Sequence, residues 1–230
     1  MKKSILSFVL IQAILGGLLF LGSIPFHSCE PEPDHEEHEC DSCIRLMKPN
    51  IYLYPTEEKI LSVTLNFPSV GKIVTSIPDY GKGWLVSVDT DGIINDEFEY
   101  LFYESDQPDV WQTNEGWIIN VSDLEQFFTD NLSKYGFIGR EIKDFTDYWI
   151  PRLKEYEYYE IYPQEKKIID TVITLEVSDT PNAVLRLFYL IRGTDSTADS
   201  KIIAPADNIP FIRTGFCVTE WGVVLNLINS

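Results

Sequence analysis

The strongest constraint on the fold is a two-residue rhythm that runs through the chain and is interrupted once. Leu61, Val63, Leu65 and Phe67 alternate with Ser62, Thr64 and Asn66, the pattern of a strand with one buried face. Residues 51–54, 70–77, 84–89 and 98–103 continue it, punctuated by Pro55, Pro68, Pro78, Gly81 and Gly83. Asp91-Gly92 reads as a hairpin turn, and residues 116–121 as one more short strand. There the period changes. Ser122-Asp-Leu-Glu125 is a capping box, which predicts a helix from Asp123 to about Tyr135 with Gly136 as its C-terminal cap. A second helix is expected from about Gly139, with Ile142, Phe145 and Trp149 on one face and Pro151 at its end.

The rhythm then returns. Residues 156–162 are aromatic and extended, and Ile173, Leu175 and Val177 alternate with Val172, Thr174 and Glu176. Residues 183–191 are apolar on both faces except at Arg186, as a central strand requires. Residues 194–200 form a polar loop, and 215–221 close the sheet. The class is therefore α+β: mainly antiparallel sheet, with two helices inserted between two β portions. Lys48-Pro49 and the 51–54 strand are expected to serve as core and edge.

Ahead of this domain stands an export address. Lys2 and Lys3 precede an uncharged stretch from Ser4 to Phe26, and Cys29 follows at once. This is the order of a bacterial lipoprotein signal: a signal peptide over 1–28, a palmitate-type lipid on Cys29, an acidic tether over 29–44, and one domain over 45–230. The expected place is the cell envelope, anchored to the outer membrane through that lipid. The apolar stretch is longer than the usual h-region of about 7–15 residues. An uncleaved membrane anchor and a released secreted protein therefore remain as alternatives.

Charge narrows the partners. The formal net charge is −18, and loss of 1–28 removes Lys2 and Lys3 and no acid, leaving −20. Such a chain has no means of displacing counterions from nucleic acid, so none is expected as a partner. Anionic lipid would repel it, so membrane contact must come through the anchor. The partner expected instead is an unknown protein or glycan. The only histidines are His27, His35 and His38, all ahead of the domain. That removes Ser-His-Asp and Cys-His schemes, and imidazole-ligated metals, from the folded body. No cofactor is expected.

His35, His38, Cys40 and Cys43 have the composition of a zinc set, but they sit in a polar, charged tether with nothing apolar to order it. No metal is assigned to them. In an oxidising compartment the thiols should pair. Cys43 with Cys217 is the preferred disulfide, clipping the first segment to the last strand, and Cys40 with Cys43 is the alternative.

Several segments resemble an uncharacterised group of secreted bacterial proteins. They are Lys48-Pro-Asn-Ile-Tyr-Leu-Tyr-Pro55, Tyr80-Gly-Lys-Gly-Trp84, Tyr100 to Glu104, Glu141 with Tyr148-Trp-Ile-Pro151, and Gly215-Phe-Cys-Val-Thr-Glu-Trp-Gly222. The resemblance covers nearly the whole domain and implies secretion without implying a reaction. The long acidic tether and Cys40 depart from it. The acidic run after Cys29 also resembles, in composition, surface-export signals of some Bacteroidetes lipoproteins.

Two acids are candidates for chemistry. Glu104 and Glu220 each end an aromatic-rich strand, and two carboxylates can act as acid and base in glycan hydrolysis at about 5–10 Å separation. Tyr103, Trp84 and Trp221 are candidates to stack a sugar, and Arg186 to bind ligand or to pair with one of the acids. The bland alternative is a structural Arg–Glu network, and the leading expectation is a ligand- or partner-binding domain without chemistry. Asp89, Asp91, Asn95 and Asp96 hint at calcium, but a tight turn accounts for them with less. The address makes a direct prediction. Cys29→Ser should move the protein from the membrane fraction to the soluble fraction on cell fractionation, and unchanged retention would reject the lipid anchor.

Overall fold

Strand pairing dominates the computed structural model, which describes residues 43–197, 201–206 and 211–226. Ten strands form two sheets. In chain order the elements are β1 (Cys43–Tyr54), β2 (Lys59–Asn66), β3 (Lys72–Ile77), β4 (Trp84–Val88), β5 (Leu101–Pro108) and β6 (Trp117–Asn120). Helices α1 (Leu124–Tyr135) and α2 (Gly139–Trp149) follow, then β7 (Tyr158–Glu165), the single turn α3 (Lys166–Ile169), β8 (Thr174–Val177), β9 (Ala183–Thr194) and β10 (Cys217–Asn226). The large sheet has the order β3-β5-β1-β10-β9-β7-β6, and the small one β4-β2-β8. The class is mixed α+β and mostly sheet. All pairings between these strands are antiparallel except that of β9 with β10, which is parallel.

The large sheet is the middle layer of three. On one face lie α1 and α2. Leu124, Phe128, Leu132 and Tyr135 recur along α1 at helical spacing, and Phe145 and Trp149 project from α2. They pack with Tyr52, Tyr189, Trp221 and Val223 of the sheet. The small sheet covers the opposite face. There Leu61, Val63, Trp84 and Val86 meet Ile51, Leu53, Tyr103 and Val218. Successive residues of a strand point to opposite faces, so β1, β9 and β10 must be apolar on both. In β9 and β10 most positions are: Arg186 to Ile191 and Cys217 to Val224 are buried without a break, with Arg186, Thr219 and Glu220 as the polar exceptions.

Helix ends follow local chemistry with one shift. Gly136 closes α1 at φ +110°, donating its amide to the carbonyls of Leu132 and Ser133. Only glycine reaches that conformation at little cost. The start differs from the capping-box expectation. A short 3-10 turn over Val121–Asp123 precedes α1, and the side chain of Asn120 caps it by accepting from the Ser122 amide. The Ser122 hydroxyl is spent on Asn120, so the cap lies two residues upstream of the expected one. On α2 the inward position is Glu141 rather than Ile142, which is half-buried.

Other expectations need correction. β1 reaches back to Cys43, into the stretch read as tether, and is third in the seven-stranded sheet, so it is no edge. The early reach went unread because Arg45 and Lys48 break the apolar alternation. The preferred disulfide is overturned. Cys217 is a free, buried thiol, and Cys43 has a partner of its own. Tyr54, at the far end of β1 from Cys43, is the residue opposite Cys217. At about 3.3 Å per residue the two cysteines stand roughly 30–36 Å apart, whereas a disulfide needs Cα atoms within about 7 Å. Cys29, Cys40, His35 and His38 lie outside the described residues, so the lipid site, the alternative disulfide and the zinc set fall there. Among the described residues no helix is long and apolar enough to cross a membrane. Alkylation followed by peptide mapping should label Cys217 only after the protein is denatured. Labelling of Cys217 in the native protein would contradict its burial in β10.

Candidate functional site

The acids singled out from the sequence do not meet. Tyr103 and Glu220 share one face of the large sheet, since the Tyr103 hydroxyl donates to Glu220 Oε1 at 2.7 Å. Along β5 the residues Leu101, Tyr103, Ser105 and Gln107 are buried, whereas Phe102, Glu104 and Asp106 face the other way and are part-exposed. Glu104 is thus on the opposite face of the sheet from Glu220, and no cleft can hold both carboxylates.

Glu220 is instead the centre of a buried ion network. Its side chain is 0% exposed. Arg186 Nε donates to Glu220 Oε2 at 2.5 Å, and Arg186 Nη1 donates to Asp170 and to the Ile173 carbonyl, both at 2.7 Å. Burial works against the Arg186 charge, but Glu220 beside it more than compensates, so the guanidinium is held charged. Burial, reinforced by the Glu220 charge, pushes the Tyr103 phenol well above its usual range. The remaining ligand candidates are buried too. Trp84 packs between Tyr80 and Tyr103 at the small sheet, and Trp221 lies edge-on to Phe145 under α2. Arg186, Tyr103, Trp84 and Trp221 are core, so none of them presents a surface to a ligand.

A second buried acid works on the helix face. Glu141 accepts from the Ile138 amide, from both terminal nitrogens of Arg213 and from the Thr219 hydroxyl, tying α2 to β10. Nor is calcium supported. Asp89 Oδ1 accepts from the Ile93 amide at 2.7 Å in a local turn, and among the described residues no cluster of three or more His, Cys, Asp or Glu could hold a metal.

A groove open to solvent lies elsewhere, on the helix side of the sheet near β5 and β3. Its volume is about 590 Å³, and its lining includes Lys48, Phe102, Tyr100, Tyr148, Glu97 and Glu99. Lys48 is placed there by a β-bulge. The register of β1 shifts between Met47 and Asn50 against both neighbouring strands, and Lys48 takes a left-handed φ of +53°. Bulges of this kind re-aim a side chain, and a left-handed lysine is a strain the surroundings must hold.

Those surroundings are specific. The Lys48 ammonium lies 4.4 Å from the centre of the Tyr100 ring, 4.5 Å from Phe102 and 5.5 Å from Tyr148. It donates to Asn50 Oδ1 at 3.1 Å and to the Tyr100 hydroxyl at 3.2 Å. Asn50 in turn donates to the Tyr52 hydroxyl, which donates to Asp144 on α2. Asn50 and Tyr52 are fully buried, so this chain fixes the amine from below. Burial brings the Lys48 pKa down from 10.5 to about 8, although Asp144 and Glu104 oppose the change. Arg152 stacks 3.6 Å over the Tyr148 ring and braces that wall.

Glu104 therefore belongs beside Lys48, with Arg45 3.8 Å away, and not beside Glu220. A Lys-Pro pair ahead of a strand has no chemical signature, so the sequence alone suggests core and edge for Lys48 rather than a site. The available signal was a lone cation at the head of an aromatic strand. Comparison with protein-family models, curated proteins and solved structures finds no match to this chain.

The network around Glu220 predicts a stability effect. Glu220→Gln removes the fully buried partner of Arg186, leaving it Asp170, and should cost about 3 kcal/mol in urea denaturation, whereas Glu104→Gln, at a part-exposed pair, should cost less than about 1 kcal/mol. Equal small losses would reject a structural role for Glu220.

Proposed function

We propose that this is a lipid-anchored envelope or surface protein. Its α+β domain, with two helices set between two β portions, binds a small ligand in the Lys48 groove without transforming it. One observation carries the reading. A lysine held in a strained backbone conformation by a buried chain of hydrogen bonds stands among three aromatic rings in an open groove. An ammonium has three hydrogens to donate, and two of those of Lys48 are engaged. The third is available for a ligand oxygen. The rings offer flat apolar contact, and a groove of this volume falls in the range of small-molecule sites.

Charge refines the ligand. Glu97 and Glu99 rim the groove on an already acidic chain, which disfavours anions of high charge. The favoured ligand is uncharged, with one flat face and an acceptor oxygen at its edge. A sugar ring meets this description, as does an aromatic carbonyl compound. Secretion, as the resembling proteins imply, and the Cys29 lipid would present this groove to the envelope or the medium.

NMR titration of the full-length protein in detergent with benzamide, and separately with methyl glucoside, tests the groove. At least one probe should give saturable shifts of the Tyr100 and Tyr148 ring signals. Lys48→Met should weaken that binding by about tenfold, the loss of one charge-assisted hydrogen bond. Saturation by neither probe, or shifts indifferent to Lys48, would overturn the assignment.

A further inference from the structure

We infer that Lys48 captures its ligand covalently and reversibly, as an imine with the carbonyl carbon of a flat aldehyde. The inference deepens the groove reading and rests on it. Its basis is the arrangement of groups around one nitrogen. An imine-forming lysine needs an accessible amine, a wall that seats the carbonyl compound, and a proton donor for the departing oxygen. The groove supplies all three. Lys48 lines the open groove, and its Nζ lies against the rings of Tyr100, Phe102 and Tyr148, which form the wall.

The Tyr100 hydroxyl is the proton donor. It accepts from Lys48 at 3.2 Å, so its own hydrogen remains to donate. Burial, then the charge of Asp144, raises the Tyr100 pKa, so the phenol keeps its proton at neutral pH. Glu97 and Glu99 line the same groove, and three further charged groups act on the amine directly. Glu104 on β5 and Asp144 on α2 stabilise its protonated form, while Arg152 beyond α2 and the burial of the amine favour the neutral one. Burial prevails, and the ordinary charge of a surface lysine is partly released.

The step balances without an oxidant or a reductant. The neutral amine lone pair forms the C–N bond, and the carbonyl oxygen takes a proton from the Tyr100 side as the carbinolamine forms. The proton displaced from nitrogen returns to the phenol. Loss of the hydroxyl group with a second proton yields the imine and one water. Hydrolysis runs the same path backwards, so the ligand is released unchanged. The strained backbone and the Asn50–Tyr52–Asp144 chain position the nitrogen and take no part in the bond changes.

The test uses the full-length protein in detergent with benzaldehyde and sodium cyanoborohydride, read by peptide mass mapping. At pH 7 a lysine titrating near 8 carries roughly 300-fold more neutral amine than one titrating at 10.5. Lys48 should therefore gain a benzyl group at least tenfold faster than Lys143, which is exposed and held charged by Asp147. That preference should shrink as pH rises above 8, because Lys48 is then mostly neutral while the small neutral fraction of Lys143 continues to grow. Tyr148→Ala, which leaves the amine and its hydrogen bonds in place, should slow Lys48 labelling and leave Lys143 unchanged. Labelling of Lys48 no faster than Lys143 overturns the inference. If that occurs while benzamide still saturates the groove, covalent capture fails and non-covalent binding stands. If benzamide also fails to bind, both readings fall.

Discussion

The fold turns on one residue pair in the middle of its last strand. Thr219 and Glu220 are neighbours on β10, so they face opposite sides of the large sheet, and each is tied to a different layer. Glu220 meets Arg186 on β9 and Tyr103 on β5, and Arg186 continues to Asp170 and Ile173 behind α3. Thr219 meets Glu141 on α2, which also holds Arg213. A fully buried carboxylate is tolerable only when charge and hydrogen bonds replace water. That requirement selects the register of β10 against both neighbours. A slip of one residue would carry Glu220 to the helix layer, away from Arg186 and Tyr103.

The groove follows from unequal coverage of the same sheet. Helices α1 and α2 pack over β1, β10, β9 and β7, and the far side, at β5 and β3, is left open. At that boundary β1 bulges and Lys48 enters the uncovered space. The wall is shared between layers: Tyr100 and Phe102 come from the segment entering β5 and from β5 itself, and Tyr148 from α2. Tyr52 and Asp144 belong to the helix-side packing and also end the hydrogen-bond chain that fixes the amine. The site is therefore an outgrowth of the core, held by side chains that the fold needs in any case.

Much of the architecture was legible because it rests on local periodicity. The alternation at Leu61, Val63 and Leu65 appears as β2, the doubly apolar run after Ala183 as β9, and the glycine at 136 as a helix stop. The parallel pairing of β9 with β10, the separate β4-β2-β8 sheet and the central place of β1 were not legible, since pairing joins residues far apart in the chain. The acids show the same divide. Glu104 and Glu220 look equivalent as strand-end carboxylates, yet the strand pairing puts them on opposite faces and only one in the core.

What the sequence determined by itself was the class of fold, the order of most elements, a strongly acidic net charge, and a domain free of histidine. Each depends on residue type or on spacing within a few positions. The tertiary structure alone decided which acids are structural, that Cys217 is a buried free thiol, and that the Lys48 amine stands beside three aromatic rings in one groove. Those outcomes depend on which distant strands become neighbours, and the Lys48 pKa falls toward 8 only where other layers remove its water.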